Sequence, residues 1–197
     1  MQAFISGYLE KMIESLRQID QAVVAQIISA FEACYEKKGS IYIIGNGGSA
    51  ATASHMANDF SCGLKLRGIR DFNVLSLVDN VPVCTAIAND IGYENIFYAQ
   101  LKDRLKGMDI LLAISCSGNS GNILKAVHYA RSSGTMVIGL TGFEGGALRD
   151  LSDINFHVAT DKGEYGIVED IHMMLDHIIF SYFLSLKPES KTVYSLR

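Results

Sequence analysis

The chain has 197 residues, 49% of them apolar and 19% charged, with a formal net charge of −4. This composition excludes a disordered polymer and the strongly basic surface of a nucleic-acid binder, and the length suits one domain with a full-sized core. No window is long and apolar enough for a membrane span, and the opening MQAFISGYLEKMIESL lacks the basic-then-apolar layout of a secretion signal.

Apolar residues recur at helical spacing over residues 4–35. Phe4, Tyr8, Met12, Ile13 and Leu16 mark one face; Val23, Val24, Ile27, Ile28 and Phe31 mark another after a break near Asp20. Two helices are expected here, as an extension over residues 1–36 ahead of an α/β core over 37–197. SIYIIG then reads as a buried strand stopped by glycine, with a helix over 49–60 behind it. FNVLSL is a second strand, followed by helices over 81–88 and 94–105. DILLAIS is a third strand with its helix over 122–132. TMVIGLT and INFHVA are the fourth and fifth, and a long helix over 167–186 closes the pattern.

Continuous apolar strands that alternate with helices predict a parallel sheet covered on both faces. Right-handed crossovers make it a three-layer, doubly wound α/β fold with five strands. Pro82 and Pro188 are the only prolines, and no linker or repeat divides the chain, so 1–197 is expected to be a single domain. Cys34, Cys62, Cys84 and Cys116 form no CxxC pair. Free thiols and a cytoplasmic location follow as expectations.

Two loops carry the chemistry. Gly45-Asn46-Gly47-Gly48-Ser49-Ala50 joins a buried strand to a helix. Glycines allow close backbone approach, and the helix N-terminus suits an anion. The pattern also fits a dinucleotide fingerprint, which wants an acidic residue about 20 positions on; Asp79 lies too far along. The second loop is Ser115-Cys116-Ser117-Gly118-Asn119-Ser120-Gly121-Asn122, after the third strand. Its hydroxyls and helix N–H groups can grip a phosphate without a lysine. Helix-capping serines are the plain alternative, but three serines in six residues at the carboxyl end of a parallel strand favour a ligand. Two such loops can hold a small phosphorylated molecule from two sides.

With these motifs in order, the sequence resembles the SIS (sugar isomerase) domain family, most closely its phosphoheptose isomerase branch. The stretches that carry the likeness are IIGNGGSAATASHMANDF, TAIANDIGYENIF, LLAISCSGNSGNILKAV, VIGLTGFEGG and EDIHMMLDH. The resemblance implies isomerisation of sedoheptulose 7-phosphate to an aldoheptose 7-phosphate for bacterial surface polysaccharides. It also implies a homotetramer with active sites at subunit interfaces, and bound zinc. Nucleic acid and membrane are not expected partners. By the same resemblance, Asn46, Gly47, Gly48, Asn89, Asp90, Ser115, Cys116, Ser117, Ser120 and Glu169 would touch substrate. His55, Asp59, Glu169 and His177 would hold the metal, with Asp59 as base and His177 as acid.

His55 and Asp59 lie four apart and share one helix face, where they can bind a cation. Glu169 and His177 are eight apart, roughly 12 Å along a helix, which is long for ligands of one metal. Either the helix starts after Glu169 or two subunits contribute. The sequence departs from the family where Asp59 replaces a glutamate, Glu169 a glutamine and Cys116 a hydroxyl residue. Gly63 stands in place of an arginine for which Lys65 or Arg67 could substitute. Cys116, near a helix N-terminus, is expected to be the most reactive thiol. A regulator without catalysis, or an isomerase of another sugar phosphate, stays open as an alternative.

Overall fold

The computed structural model describes residues 1–190 and Tyr194. Helices α1 (Gln2–Arg17) and α2 (Gln21–Glu36) come first. They part at Asp20, whose carboxylate caps α2 by accepting from the N–H groups of Ala22 and Val23 at 2.9 and 3.3 Å. Strand β1 (Ser40–Gly45) leads into α3 (Gly48–Asn58), which runs on through a π-helical stretch, Asp59–Gly63, into the short α4 (Leu64–Leu66). Next come β2 (Asn73–Ser76), α5 (Val81–Ile91), α6 (Tyr98–Leu101), β3 (Ile110–Ser115) and α7 (Gly121–Ser132). The chain closes with β4 (Met136–Gly142), α8 (Gly146–Leu151), β5 (Ile154–Val158) and α9 (Tyr165–Ser185).

One expectation needs correction. The helix expected over 94–105 is a 3₁₀ turn, Tyr93–Asn95, followed by the single turn α6. Gly92 at φ 95° breaks the chain before it and Asp103 at φ 62° ends it. Buried Phe97 and Leu101 anchor this segment at helical spacing without a continuous helix. The closing helix runs as expected, from Tyr165 to Ser185, so Glu169 lies on the same helix as His177 and the alternative of a helix starting after Glu169 falls away.

Among the described residues the strands form one parallel sheet in the order β2-β1-β3-β4-β5. Side chains alternate between its faces. Ile41 and Ile43 point into the core under α2, α3 and α9, while Tyr42 and Ile44 point into the core under α6, α7 and α8. After β1 the chain crosses to β2 on one side; after β2 it returns to β3 on the other. The crevice outside the carboxyl ends of β1 and β3 is therefore the switch point where such sheets bind ligands.

The two leading helices differ in burial. Helix α2 sinks Val24, Ile27, Phe31 and Cys34 into the core, whereas α1 buries nothing and leaves Phe4 75% and Leu9 55% exposed. Helix α5, with the apolar sequence VPVCTAIANDI, also has no buried residue. No helix among the described residues is long and apolar enough to cross a membrane.

His172 on α9 is fully buried, with Nε2 at 3.2 Å from the Thr141 carbonyl oxygen and Nδ1 without a hydrogen-bond partner. Burial pulls its pKa from the ordinary 6.5 down to about 4. The unfolded chain therefore takes up this proton below pH 6.5, while the folded chain resists it until about pH 4. Stability present above pH 6.5 drains as pH falls through that window, by up to about 3 kcal/mol. Urea unfolding between pH 7 and 4 should show a shallower loss for His172→Gln than for the unaltered chain. Equal slopes would rule out this origin.

Candidate functional site

The switch crevice is built by the loops that leave β1 and β3. In the first, Gly47 adopts φ 56°, ψ −123°, a conformation that favours glycine. The Glu169 carboxylate lies against Gly48, where a Cβ would displace it. That carboxylate thus faces the N-terminus of α3, where a negative charge is favoured. Asn46 and Asn122 exchange two amide hydrogen bonds of 2.9 Å, tying the first loop to α7. Tyr93 donates its hydroxyl to Asn46 Oδ1 at 2.8 Å.

The serine loop is held from behind. Gly118 has φ 63°, and a Cβ there would strike the Gly145 carbonyl oxygen. Leu148 N–H donates to the Gly118 carbonyl at 2.9 Å, and Ala147 N–H to Asn119 Oδ1 at 3.1 Å. Ser120 is the N-cap residue of α7, yet its side chain makes no capping bond. Its hydroxyl lies 3.5 Å from that of Ser115. The Ser120 hydroxyl is therefore not spent on capping, whereas Ser117 Oγ accepts the Asn119 N–H at 3.3 Å in a local turn. Ser115, Ser117, Ser120, Asn46, Tyr165 and Glu169 line a cavity here, with no lysine or arginine among the lining residues.

A second group stands where α3 meets α9. His55 Nε2 lies 3.6 Å from Asp59 Oδ2, 3.7 Å from Asp176 Oδ2 and 3.1 Å from His177 Nε2. One donor atom from each of these four residues lies within 4.8 Å of every other. Asp59 opens the π-helical stretch; such stretches are frequent at functional sites. The next residue, Phe60, is wholly buried against Phe31, Phe72 and Phe183, which fixes the backbone from which Asp59 projects. Burial, and secondarily the charge of Asp59, pushes the Asp176 carboxyl up to about 8.

The expected site residues therefore separate into two places. His55, Asp59 and His177 come together, but Glu169 does not join them. It is a regular helical residue two turns before His177, and it lines the serine-loop cavity instead. Asn46, Ser115, Cys116, Ser117 and Ser120 line that cavity, with Gly48 held against Glu169. Asn89 and Asp90 end α5, where Asn89 donates to Asp90 at 2.8 Å; neither lines the cavity. Lys65 pairs with Asp71 at 3.0 Å, and Arg67 bonds the Gly63 carbonyl and the Tyr194 hydroxyl at 2.7 and 2.8 Å. Both cations are thus committed away from the cavity. Tyr93, Asn122, Tyr165 and Asp176 are additions that the sequence reading did not single out. Asp176 had one signal: an acid set between the core-facing Leu175 and Ile179.

Cys116 also corrects its expectation. It is 5% exposed, within the core on the α2–α3–α9 face. Burial, and then the nearby Glu169 charge, raises its thiol to about 11. Burial outweighs the helix N-terminus.

Comparison with known proteins gives one consistent picture. The family model described as SIS domain matches residues 7–142. A phosphoheptose isomerase of Helicobacter pylori (strain Shi470) is 37% identical over 171 residues, 87% of this chain and 85% of that protein. The structure of phosphoheptose isomerase GmhA from Neisseria gonorrhoeae superposes with TM-score 0.81 at 27% identity, covering 93% of this chain and 98% of that one. A phosphoheptose isomerase from Francisella tularensis gives 0.80 at 29% identity, with 92% and 95% coverage.

Thiol chemistry offers a direct check on the burial of Cys116. Brief iodoacetamide treatment of the folded protein should label the exposed Cys62 first, with Cys116 modified only on unfolding. Peptide mass spectrometry that found Cys116 labelled first would contradict the buried, proton-holding thiol.

Proposed function

The chain belongs to the SIS domain family, in its phosphoheptose isomerase branch, and from that membership we infer that it is an aldose–ketose isomerase of sedoheptulose 7-phosphate. The product we propose is D-glycero-manno-heptose 7-phosphate, formed through an enediolate with help from a divalent metal. The observation that carries this reading is the switch-point cavity, where the hydroxyls of Ser115, Ser117 and Ser120 converge without a cation. That arrangement suits a phosphate bound by hydroxyls and by the N-terminus of α7. The His55 group stands two turns further along α9, about 12 Å from Glu169 along the axis. A phosphate at one end and reacting carbons towards the other match the length of an open-chain heptose.

In this mechanism Gly47 and Gly48 let the sugar approach the backbone, and Asn46 orients a hydroxyl. Asn89 and Asp90, outside the serine-loop cavity at the end of α5, would meet only those sugar hydroxyls that project beyond it. Glu169 faces the sugar beside the serine loop. The Asp59 carboxylate removes the proton next to the carbonyl and returns it to the neighbouring carbon. His177 moves the hydroxyl proton between the two oxygens. The donor types of His55, Asp59 and His177, with a buried carboxylate beside them that lacks a hydrogen-bond partner, fit zinc. Bound there, zinc supplies a Lewis acid that stabilises charge developing on the sugar oxygens.

The chain is proposed to work as a homotetramer in the cytoplasm, feeding heptose into lipopolysaccharide or capsule. Support for assembly comes from α1 and α5, which have no fully buried residue and leave Phe4, Leu9, Val81 and Ile91 exposed. The unpaired cysteines suit a reducing compartment. Light scattering should give four times the 21.5 kDa chain mass; a stable monomer would remove this part of the proposal.

Turnover is tested by proton NMR of sedoheptulose 7-phosphate in deuterated water with zinc-supplemented protein. Aldose signals should grow with the unaltered chain, and Asp59→Asn should lower the rate by about 10²–10⁴-fold. No aldose signal from the zinc-loaded chain would end the isomerase reading. Full activity in Asp59→Asn would end only its assignment as base.

A further inference from the structure

We propose that Asp176 is a metal ligand of this chain, completing a site of two imidazoles and two carboxylates with His55, Asp59 and His177, in place of Glu169. This rests on the reading above that the protein holds a divalent cation, and it deepens that reading by naming the fourth donor.

Asp176 is 0% exposed, and neither of its oxygens has a hydrogen-bond partner among the described residues. A carboxylate taken out of water needs a counter-charge or donors, and nothing on α9 supplies either. Its Oδ2 instead points to His55 Nε2, 3.7 Å away. His55 Nε2 also lies 3.6 Å from Asp59 Oδ2 and 3.1 Å from His177 Nε2, and the remaining three separations are within 4.8 Å. Four donors bound tetrahedrally at 2.0–2.1 Å from zinc stand about 3.3–3.4 Å from one another. The three distances from His55 bracket that edge. Charge points the same way. With both ionised and no cation between them Asp59 and Asp176 would repel each other, whereas two carboxylates and two imidazoles balance a divalent ion. His55 is 42% exposed, so the site opens to solvent on that side, where a sugar oxygen can enter as a fifth ligand.

Within one chain Glu169 is accounted for elsewhere. Its carboxylate lodges against Gly48 and lines the serine-loop cavity. Two turns of α9 separate it from the His55 group. The two acids of α9 thus take different posts: Asp176 on the cation, Glu169 beside the phosphorylated sugar.

The test removes metal from the full-length protein with a chelator and titrates zinc and cobalt into four forms: unaltered, Asp176→Asn, Asp176→Leu and Glu169→Gln. Affinity is read from metal content after dialysis, from cobalt absorption bands that report four-coordination, and from the metal-induced shift in Tm. The unaltered chain should hold one ion per chain. Both Asp176 variants should bind more than about 100-fold more weakly, beyond the 10–100-fold cost of losing an outer partner. Glu169→Gln should stay within a few-fold of the unaltered chain. Asp176→Leu keeps the core filled, and its metal-free Tm should not fall below that of the unaltered metal-free chain, so lost binding cannot be put down to unfolding. Unchanged affinity in the Asp176 variants, or an equal loss in Glu169→Gln, overturns the assignment. An unaltered chain that takes up no metal overturns it together with the zinc reading; NMR turnover then judges the isomerase separately.

Discussion

The site depends on one feature of the sheet: β1 lies between β2 and β3. Gly45 pairs with Ile114 in that register, so the loops leaving the two strands emerge side by side. Had β3 paired on the outside of β2, the serine loop would have stood a full strand away from Asn46. Instead Asn46 and Asn122 close a reciprocal amide pair across the crevice. The sheet core, wholly buried along β3 on both faces, makes this spacing stiff.

Helix α9 is the second fixed part. Its 21 residues cross the back of the site and present Glu169 to one loop and the Asp176–His177 pair to α3. Ile171, Leu175 and Ile179 sink one face into the core, and His172 anchors to the carbonyl of Thr141 on β4. Rotation of α9 would therefore break packing and a buried hydrogen bond together. On the facing side, α3 passes into its π-helical stretch at Asp59, while Phe60 is clamped in the aromatic cluster. The two helices oppose their polar groups because their apolar groups are already committed.

Burial also sets the electrostatics. His172 stays neutral, Cys116 keeps its proton, and Asp176 holds its proton far above the usual carboxylate range, each chiefly because its charged form has been removed from water. The three serve differently. His172 holds the helix and Cys116 fills core space. Only Asp176 faces a cluster of other donors.

Much of this was legible in the linear chain. Continuous apolar runs between helical segments determined a parallel, doubly wound sheet, because strands covered on both faces must be apolar throughout. The glycine and serine loops were legible from composition and place, and the pairing of His55 with Asp59 from helical spacing. All of these are local properties, set within a few residues by backbone period and side-chain type. The strand order, the capture of Asn46 by Asn122 and Tyr93, the burial of Cys116 and the meeting of Asp176 with His55 were decided only by the tertiary structure. Each joins residues distant in sequence, such as His55 and Asp176, and each turns on exclusion from water, which a residue acquires only when other elements pack over it.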